Sequence, residues 1–302
     1  MKQSNNEDLD WPEEICSTEF QYGQWNVPRS NICLDFHGDP ARSELIVFSD
    51  GNHHMALLEC LEQFKKENPD LSGVFYATTP PGPVVNVLES GGIQLGNLMI
   101  SAFPHVFISP PEVLEKLVKK GYISGHTLFC KNQGAVLIVK KGNPKGISTI
   151  NDLARKDVRF FISNPKTEQA SFLTYQKTLA GLTSEFLPDS NLIDLKVAQG
   201  NIKFGKAIHH REAPQALAED SVDAAIVFYH LALRYTRIFP ETFDMIPLGG
   251  SIEEPKPYDE STVTDTHMGL VNDGGKWGKQ LVAFLNSKSS KKIYKYHGLC
   301  PM

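Results

Sequence analysis

Histidines supply the most reactive side chains of this chain, and six of its ten histidines lie at or near short polar turns. These are His53, His54, His105, His209, His210 and His230. Neutral imidazole is a good ligand of zinc, copper and nickel, and three or four imidazoles from separate turns hold one divalent metal. One interpretation is a transition-metal site made by all of them except His209. Imidazoles that donate N–H hydrogen bonds hold an oxyanion equally well. The histidines alone therefore do not decide whether the ligand is a metal cation or an oxyanion.

A second set of polar residues offers uncharged hydrogen-bond donors. Thr78 and Thr79 begin the turn TTPPGP after an apolar run, and Ser171 lies near the start of a helical segment. Hydroxyls suit oxyanions, and so do helix N-termini, because their N–H groups have no intrahelical acceptor and carry a positive partial charge. Such hydroxyls are also common as simple helix caps, so each one alone is a weak signal.

The composition limits the choice of partners. Of 302 residues, 41% are hydrophobic and 22% are charged, as in soluble globular proteins. A net charge of -5 without a basic run argues against nucleic acid as a partner, and no apolar stretch is long enough for membrane insertion. The five cysteines are widely spaced without a C-x-x-C pair, which favours free thiols over disulfides or a zinc knuckle.

The first residues, MKQSNNEDLDWPEE, are polar and acidic and lack the apolar core of a secretory signal. A cytoplasmic location is therefore expected if Met1 is native. A processed form in the periplasm or outside the cell is the alternative.

Apolar runs alternate with helical segments from Leu45 onward. LIVF, GVFYA and HVFIS predict buried strands, and helical spacing follows each of them. A second series, GAVLIVKKGNP, VRFFIS and VDAAIVF, repeats the pattern. The alternation predicts an α/β fold of mostly parallel sheets flanked by helices. The polar segment 1–44 predicts an N-terminal extension that packs on the first lobe.

The order of these segments resembles the molybdate/tungstate-binding family of type II periplasmic binding proteins, the substrate-binding proteins of ABC transporters. The best landmarks are LIVFSDGNHH, YATTPPGPVVNVLESG, KNQGAVLIVKKGNP, VRFFISNPKTEQAS, DAAIVFYHLA and SKKIYKYHGL. The resemblance implies two lobes with a ligand cleft between them, lobe I from 45–132 plus 235–302 and lobe II from 133–234. It also implies an ABC permease as partner if the protein is exported.

The resemblance further implies which residues hold the ligand. Ligands of open α/β sheets bind outside the carboxyl ends of the strands, and the family uses hydroxyls and backbone N–H groups at these turns. Carried onto this sequence, the ligand-binding residues are Asn52, His53, Thr78, Thr79, Ala170, Ser171, His210 and Tyr229. The sequence departs from the family pattern in places, because Asn52 stands where a serine is usual and His210 where a small residue is usual.

Common catalytic motifs such as G-x-S-x-G, H-E-x-x-H and G-x-x-x-x-G-K-[ST] are missing from the sequence. We therefore expect non-catalytic binding of a small charged solute, first of all a molybdate- or tungstate-like oxyanion, with no required cofactor. Two alternatives stay open at this point. One is a divalent metal, zinc, copper or nickel, bound by the histidines, and the other is an enzyme on the same fold.

Overall fold

The computed structural model describes residues 36–50, 54–79, 81–95, 98–184, 187, 191–206, 209–254, 256 and 262–302. The chain divides into two compact units. We call Asn132–Thr264 the inserted unit, and the described residues before it together with Asp265–Met302 the discontinuous unit. Each unit is an α/β structure with a mixed sheet, which confirms the predicted α/β class.

The strands are β1 (Phe36–His37), β2 (Leu45–Ser49), β3 (Val74–Thr78), β4 (Ile93–Leu95), β5 (Leu98–Ile100), β6 (Val106–Ser109), β7 (Thr127–Lys131), β8 (Ala135–Lys140), β9 (Phe160–Ile162), β10 (Ile202–Phe204), β11 (Ala224–Phe228), β12 (Phe243–Pro247), β13 (Asp265–Leu270) and β14 (Cys300–Pro301). The helices are α1 (His54–Glu67), α2 (Pro81–Ser90), α3 (Pro111–Lys119), α4 (Gln169–Thr183), α5 (Leu192–Ala198), α6 (His209–Ala218), α7 (Tyr229–Ile238), α8 (Gly275–Leu285) and α9 (Lys288–Tyr296), and a 3-10 helix covers Ile150–Ala154.

The discontinuous unit contains a sheet in the order β1-β3-β2-β6-β13-β7-β14. β2 is parallel to β3 and to β6, and the other pairs are antiparallel. Along β2, Leu45 and Val47 belong to one apolar cluster, and Phe48 belongs to another on the opposite face. Both faces of the strand are therefore buried, which accounts for its unbroken apolar sequence.

Helices cover both faces of this sheet. α1, α8 and α9 contribute to one apolar cluster, and α2 and α3 contribute to the other. In α3, Leu114 and Leu117 lie three residues apart on the buried face. Pro111 occupies the first helical position, where a missing N–H costs nothing because it has no intrahelical acceptor.

The inserted unit contains a sheet in the order β10-β9-β11-β8-β12. β9 is parallel to β10 and β11, whereas β8 is antiparallel to β11 and β12. Leu137, in the middle of β8, is aligned with Ile226 on one side and Ile246 on the other, and it is fully buried. The apolar cluster of this unit spans the sheet and the helices around it.

Two details differ from the sequence predictions. Parallel pairing is confined to β2, β3 and β6 and to β9, β10 and β11, so both sheets are mixed. Residues 235–264, assigned above to lobe I, belong to the inserted unit. The reason is β12, which pairs with β8 along its whole length.

Truncation of Leu137 tests the role of β8 in the core of the inserted unit. We expect Leu137→Ala to lower the free energy of unfolding by about 3 kcal/mol, because it removes buried methyl groups and leaves a cavity. The matched control is Leu173→Ala in α4, since that leucine is 51% exposed and its loss should change stability little. Urea unfolding of both variants measures the difference, and equal effects would contradict the assigned burial.

Candidate functional site

Three buried strands end in a hydroxyl residue, and a fourth is followed directly by one. β2 reads LIVFS, β3 reads VFYAT and β6 reads VFIS, while Ser163 directly follows FFI of β9. Ser49, Thr78, Ser109 and Ser163 are each 0% exposed. The hydroxyls therefore lie at the carboxyl ends of parallel strands, the edge at which α/β sheets bind ligands.

Three of these hydroxyls lie on adjacent strands of the discontinuous unit. Ser49 is aligned with Thr78 on one side and with Ile108 on the other, and neighbouring strands are about 4.8 Å apart. Ser49 Oγ donates to the carbonyl of Asp50 at 3.1 Å. Thr78 Oγ1 lies 3.3 Å from His37 Nε2. The sheet thus presents a row of uncharged polar groups on its central strands.

Two of the four hydroxyls make no hydrogen bond to the residues that the structure describes. These are Ser109 Oγ in the discontinuous unit and Ser163 Oγ in the inserted unit. A buried hydroxyl without a partner costs free energy, so native proteins keep few of them. Their repeated occurrence at the carboxyl end of a parallel strand points to a ligand that accepts hydrogen bonds.

The turn between β9 and α4 is organised by Asn164. Its Oδ1 accepts from Lys166 N at 2.9 Å, and its Nδ2 donates to the Gly205 carbonyl at 2.8 Å, which ties the ends of β9 and β10 together. The first intrahelical bond of α4 runs from Phe172 N to the Glu168 carbonyl. The N–H groups of residues 169–171, which include those of Ala170 and Ser171, precede that bond and have no intrahelical acceptor.

Glu168 joins the starts of two helices. It is the N-cap residue of α4, yet its side chain makes no cap hydrogen bond there. Both carboxylate oxygens instead accept from the backbone N–H of His209, the first residue of α6, at 3.0 and 2.9 Å. Burial raises the pKa of Glu168 to about 7, against the lowering effect of this hydrogen bond.

His209 is an aromatic core residue. It is 2% exposed, and its ring contacts Phe161 and Tyr175 with centroid distances of 5.6 and 5.2 Å. Burial lowers its pKa to about 3, so the imidazole is neutral at physiological pH. His209 therefore supplies no positive charge for an anion.

The remaining predicted residues of the inserted unit are also buried. His210 is 8% exposed, and its carbonyl accepts a hydrogen bond from the Tyr235 hydroxyl. Tyr229 donates its hydroxyl to the Ile252 carbonyl at 3.2 Å and its backbone N–H to the Gly134 carbonyl at 3.0 Å. Both donors of Tyr229 are thus used inside the unit, which argues against its predicted role as a ligand donor.

Two of the predicted ligand residues, Asn52 and His53, lie outside the described residues. His54 is the first residue of α1. Thr79 follows β3 directly and is half-buried, next to the buried Thr78. The structure thus brings Thr78 and Thr79 to the edge at which β2 and β6 also end.

His105 does not lie at a ligand-facing turn, and that prediction is wrong. It precedes β6 at the amino end of the strand, where its Nδ1 accepts from Ile46 N at 3.0 Å. Since β2 and β6 are parallel, this end lies about 10 Å from the strand end at Ser49. A Cβ at Gly275 would come within 2.6 Å of the His105 ring, so the ring is packed against that glycine.

The histidines do not form a metal site in the part of the chain that the structure describes. No group of three or more His, Cys, Asp or Glu side chains there could hold a metal ion. His230 is stacked on Phe228, with ring centroids 5.8 Å apart and an interplanar angle of 11°. Its packing therefore resembles that of His209.

Sequence reasoning missed Ser49, Ser109 and Ser163. The signal was present, because the runs LIVFS, VFIS and FFIS each place a serine directly after three or more apolar residues. The family pattern assigns the ligand contacts to the turns that follow the strands, and it does not extend to these three serines.

Comparisons with known proteins agree with this geometry. The family model of bacterial extracellular solute-binding proteins matches residues 45–299. None of the curated protein sequences matches the chain significantly. With the two α/β units described above, this result defines a solute-binding protein of the type II periplasmic class. The chain belongs to the bacterial extracellular solute-binding protein family.

Solved structures with the same fold bind different solutes. The periplasmic molybdate-binding protein of Azotobacter vinelandii is 16% identical, with a TM-score of 0.59 over 85% of this chain and 98% of that one. The sulfate-binding protein SubI of Mycobacterium tuberculosis is 15% identical, with a TM-score of 0.57 over 86% of each chain. Iron-bound HitA of Pseudomonas aeruginosa is 17% identical, with a TM-score of 0.56 over 85% and 86%. At these identities the likeness shows the fold alone.

The family corrects the expected location. The cytoplasmic expectation is wrong, because the matching family consists of extracellular solute-binding proteins. The residues on which it depended, MKQSNNEDLDWPEE, lie outside the described part of the chain. None of the helices in the described residues is long and apolar enough to cross a bilayer.

The neutral state of His209 gives a testable dependence of stability on pH. Its pKa is about 3 in the folded protein, against an ordinary value of 6.5. Below about pH 6.5 the unfolded chain takes up a proton on this residue that the folded protein does not, so the contribution of His209 to the free energy of unfolding falls by about 2 kcal/mol at pH 5. Glu168, whose pKa is raised to about 7, contributes in the opposite direction, so the effect of His209 is the difference between wild type and a variant. His209→Phe should remove this loss and leave stability at neutral pH largely intact. Urea unfolding of wild type and variant between about pH 5 and 7.5 measures the difference, and parallel pH profiles of the two would contradict the neutral state of His209.

Proposed function

We propose that this protein binds a small tetrahedral oxyanion such as molybdate or tungstate and performs no chemistry on it. In the discontinuous unit the proposed donors are the hydroxyls of Thr78 and Ser109, with the half-buried Thr79 beside them. In the inserted unit they are the hydroxyl of Ser163 and the first-turn N–H groups of α4 at Ala170 and Ser171. Its partner would be the permease of an ABC transporter, as the family implies.

The observation that carries the proposal is the set of hydroxyls at four strand ends. A hydroxyl donates a hydrogen bond without adding charge, and it is a poor ligand for zinc, copper or nickel, which prefer imidazole, thiolate or carboxylate. Ser109 Oγ and Ser163 Oγ are buried without a partner among the described residues. A ligand that accepts their hydrogen bonds would offset the desolvation free energy of these two hydroxyls.

The histidines support the metal alternative less well. His209 is neutral and packed between two aromatic rings, and His105 is held at the amino end of β6 by Ile46. His209 was not part of the predicted metal set, and without His105 that set has too few imidazoles in the described residues to favour a transition-metal site.

A panel of anions tests the proposed function. We expect molybdate or tungstate, with sulfate and phosphate in the same panel, to raise the melting temperature of the protein. Zinc, copper and nickel are tested in parallel. Stabilisation by a metal alone, or by none of these ions, would overturn the oxyanion proposal.

The variants Ser109→Ala and Ser163→Ala should each change ligand affinity and protein stability in different directions. Each should weaken binding of the stabilising anion by about tenfold, because one hydrogen bond is lost, and should leave the free energy of unfolding equal or higher, because a buried hydroxyl without a partner is removed. The matched control is Ser290→Ala. Ser290 is also 0% exposed, but its hydroxyl lies 3.2 Å from Cys60 Sγ, so this variant should lose stability and keep affinity.

Isothermal titration and urea unfolding of the three variants separate these outcomes. If Ser109→Ala and Ser163→Ala retain wild-type affinity, their hydroxyls do not contact the ligand and the proposed donor set is wrong.

A further inference from the structure

Glu168 is a carboxylate placed where an anion-binding protein needs donors. Its oxygens cap α6 at His209 N, while its own backbone begins α4, whose first-turn N–H groups are proposed above as ligand donors. A negative charge at this position repels an oxyanion at the start of either helix.

A second carboxylate lies beside the first. A Cβ at Gly205 would come within 3.0 Å of Glu212 Oε2 and 3.6 Å of Glu168 Oε2, so both oxygens face the same glycine. Glu212 Oε2 also accepts from Lys206 N at 2.5 Å. Two carboxylates so close resist simultaneous ionisation, and one of them retains its proton to a higher pH.

In the described part of the chain, the charge that acts on the Glu168 carboxyl group is that of Glu212, which is negative. Tyr175 of α4 and Tyr235 of α7 act on it electrostatically, and burial raises the pKa of both hydroxyls, which keeps them uncharged. His209 of α6 is neutral and contributes its backbone N–H. Arg211 of α6 and Arg234 of α7 are buried close enough to Tyr235 to lower its pKa, against the effect of burial.

We propose that Glu168 determines which charge state of the ligand the protein accepts, and that a fully ionised oxyanion binds together with one proton held on this carboxyl group. The inference rests on the proposed function and adds its regulation. When a dianion binds at a pH at which Glu168 is ionised, the carboxylate takes up one proton from solvent. The product is the neutral carboxylic acid of Glu168 together with the bound dianion. An oxyanion that carries its own acidic proton would bind without this uptake.

The sign of the pH dependence follows from the carboxyl group in the free protein. Burial raises the pKa of Glu168 to about 7, so below this pH the acid form is already present and affinity for a dianion is constant. Above it, each unit of pH makes protonation less favourable, and affinity falls by about tenfold per unit.

Titration of the full-length protein with molybdate or sulfate, which stay dianionic from about pH 6 to pH 9, tests the proposal. Wild type should show the tenfold slope above about pH 7, and calorimetry in buffers of different ionisation enthalpy should show uptake of about one proton there. Glu168→Gln should bind with pH-independent affinity and no proton uptake. The control Glu219→Gln removes one charge at the far end of α6 and should keep the wild-type slope.

If Glu168→Gln fails to fold, the variant Glu212→Gln tests the same proposal. Loss of the neighbouring charge should move the break in affinity to lower pH and keep its slope, because Glu212 raises the pKa of Glu168. If Glu168 has only a structural role, the variants should change the melting temperature and leave the pH dependence of anion affinity as in wild type. Wild-type affinity without pH dependence would overturn this inference alone, whereas the absence of anion binding in every variant would overturn the proposed function as well.

Discussion

Burial on both faces of the central strands is the constraint on which the rest of this structure depends. β2 and β6 lie between two apolar clusters to which different helices contribute, and β9 is fully buried. A polar side chain in place of one of their apolar residues would be buried and would need a hydrogen-bond partner there. Polar chemistry is thereby confined to the strand ends. A serine or threonine there is small enough to follow an apolar run and polar enough to bind a solute, which accounts for the repeated pattern of apolar strand followed by hydroxyl.

The same constraint explains how much could be predicted from the sequence. Unbroken apolar runs such as LIVF and VDAAIVF predict buried strands, and alternation with helices predicts an α/β fold, because both signals are local. Strand direction and partner are not local properties. FDMIP of β12 carries no sign that it pairs with β8 more than a hundred positions earlier, so the limit of the inserted unit was placed too early.

The candidate site shows the same division between local and non-local information. The threonines of TTPPGP were identified because they follow a strand. His105 was misplaced because its position depends on the register between β2 and β6, which brings its ring to Ile46 and not to the strand ends. His209 was counted among the histidines near polar turns because residue type does not reveal that Phe161 and Tyr175 lie against its ring.

Glu168 is the clearest case of a role that only the folded chain reveals. Its partner, His209 N, is 41 residues away, and its neighbour Glu212 belongs to the same later helix. The chain has a net charge of -5, and the proposed anion ligands are held by neutral hydroxyls and amides. These donors do not offset the negative charges of Glu168 and Glu212. Hydrogen-bond geometry must then supply the affinity, and a proton on Glu168 removes the repulsion without a further buried cation beside this carboxyl group, whose own desolvation would cost free energy.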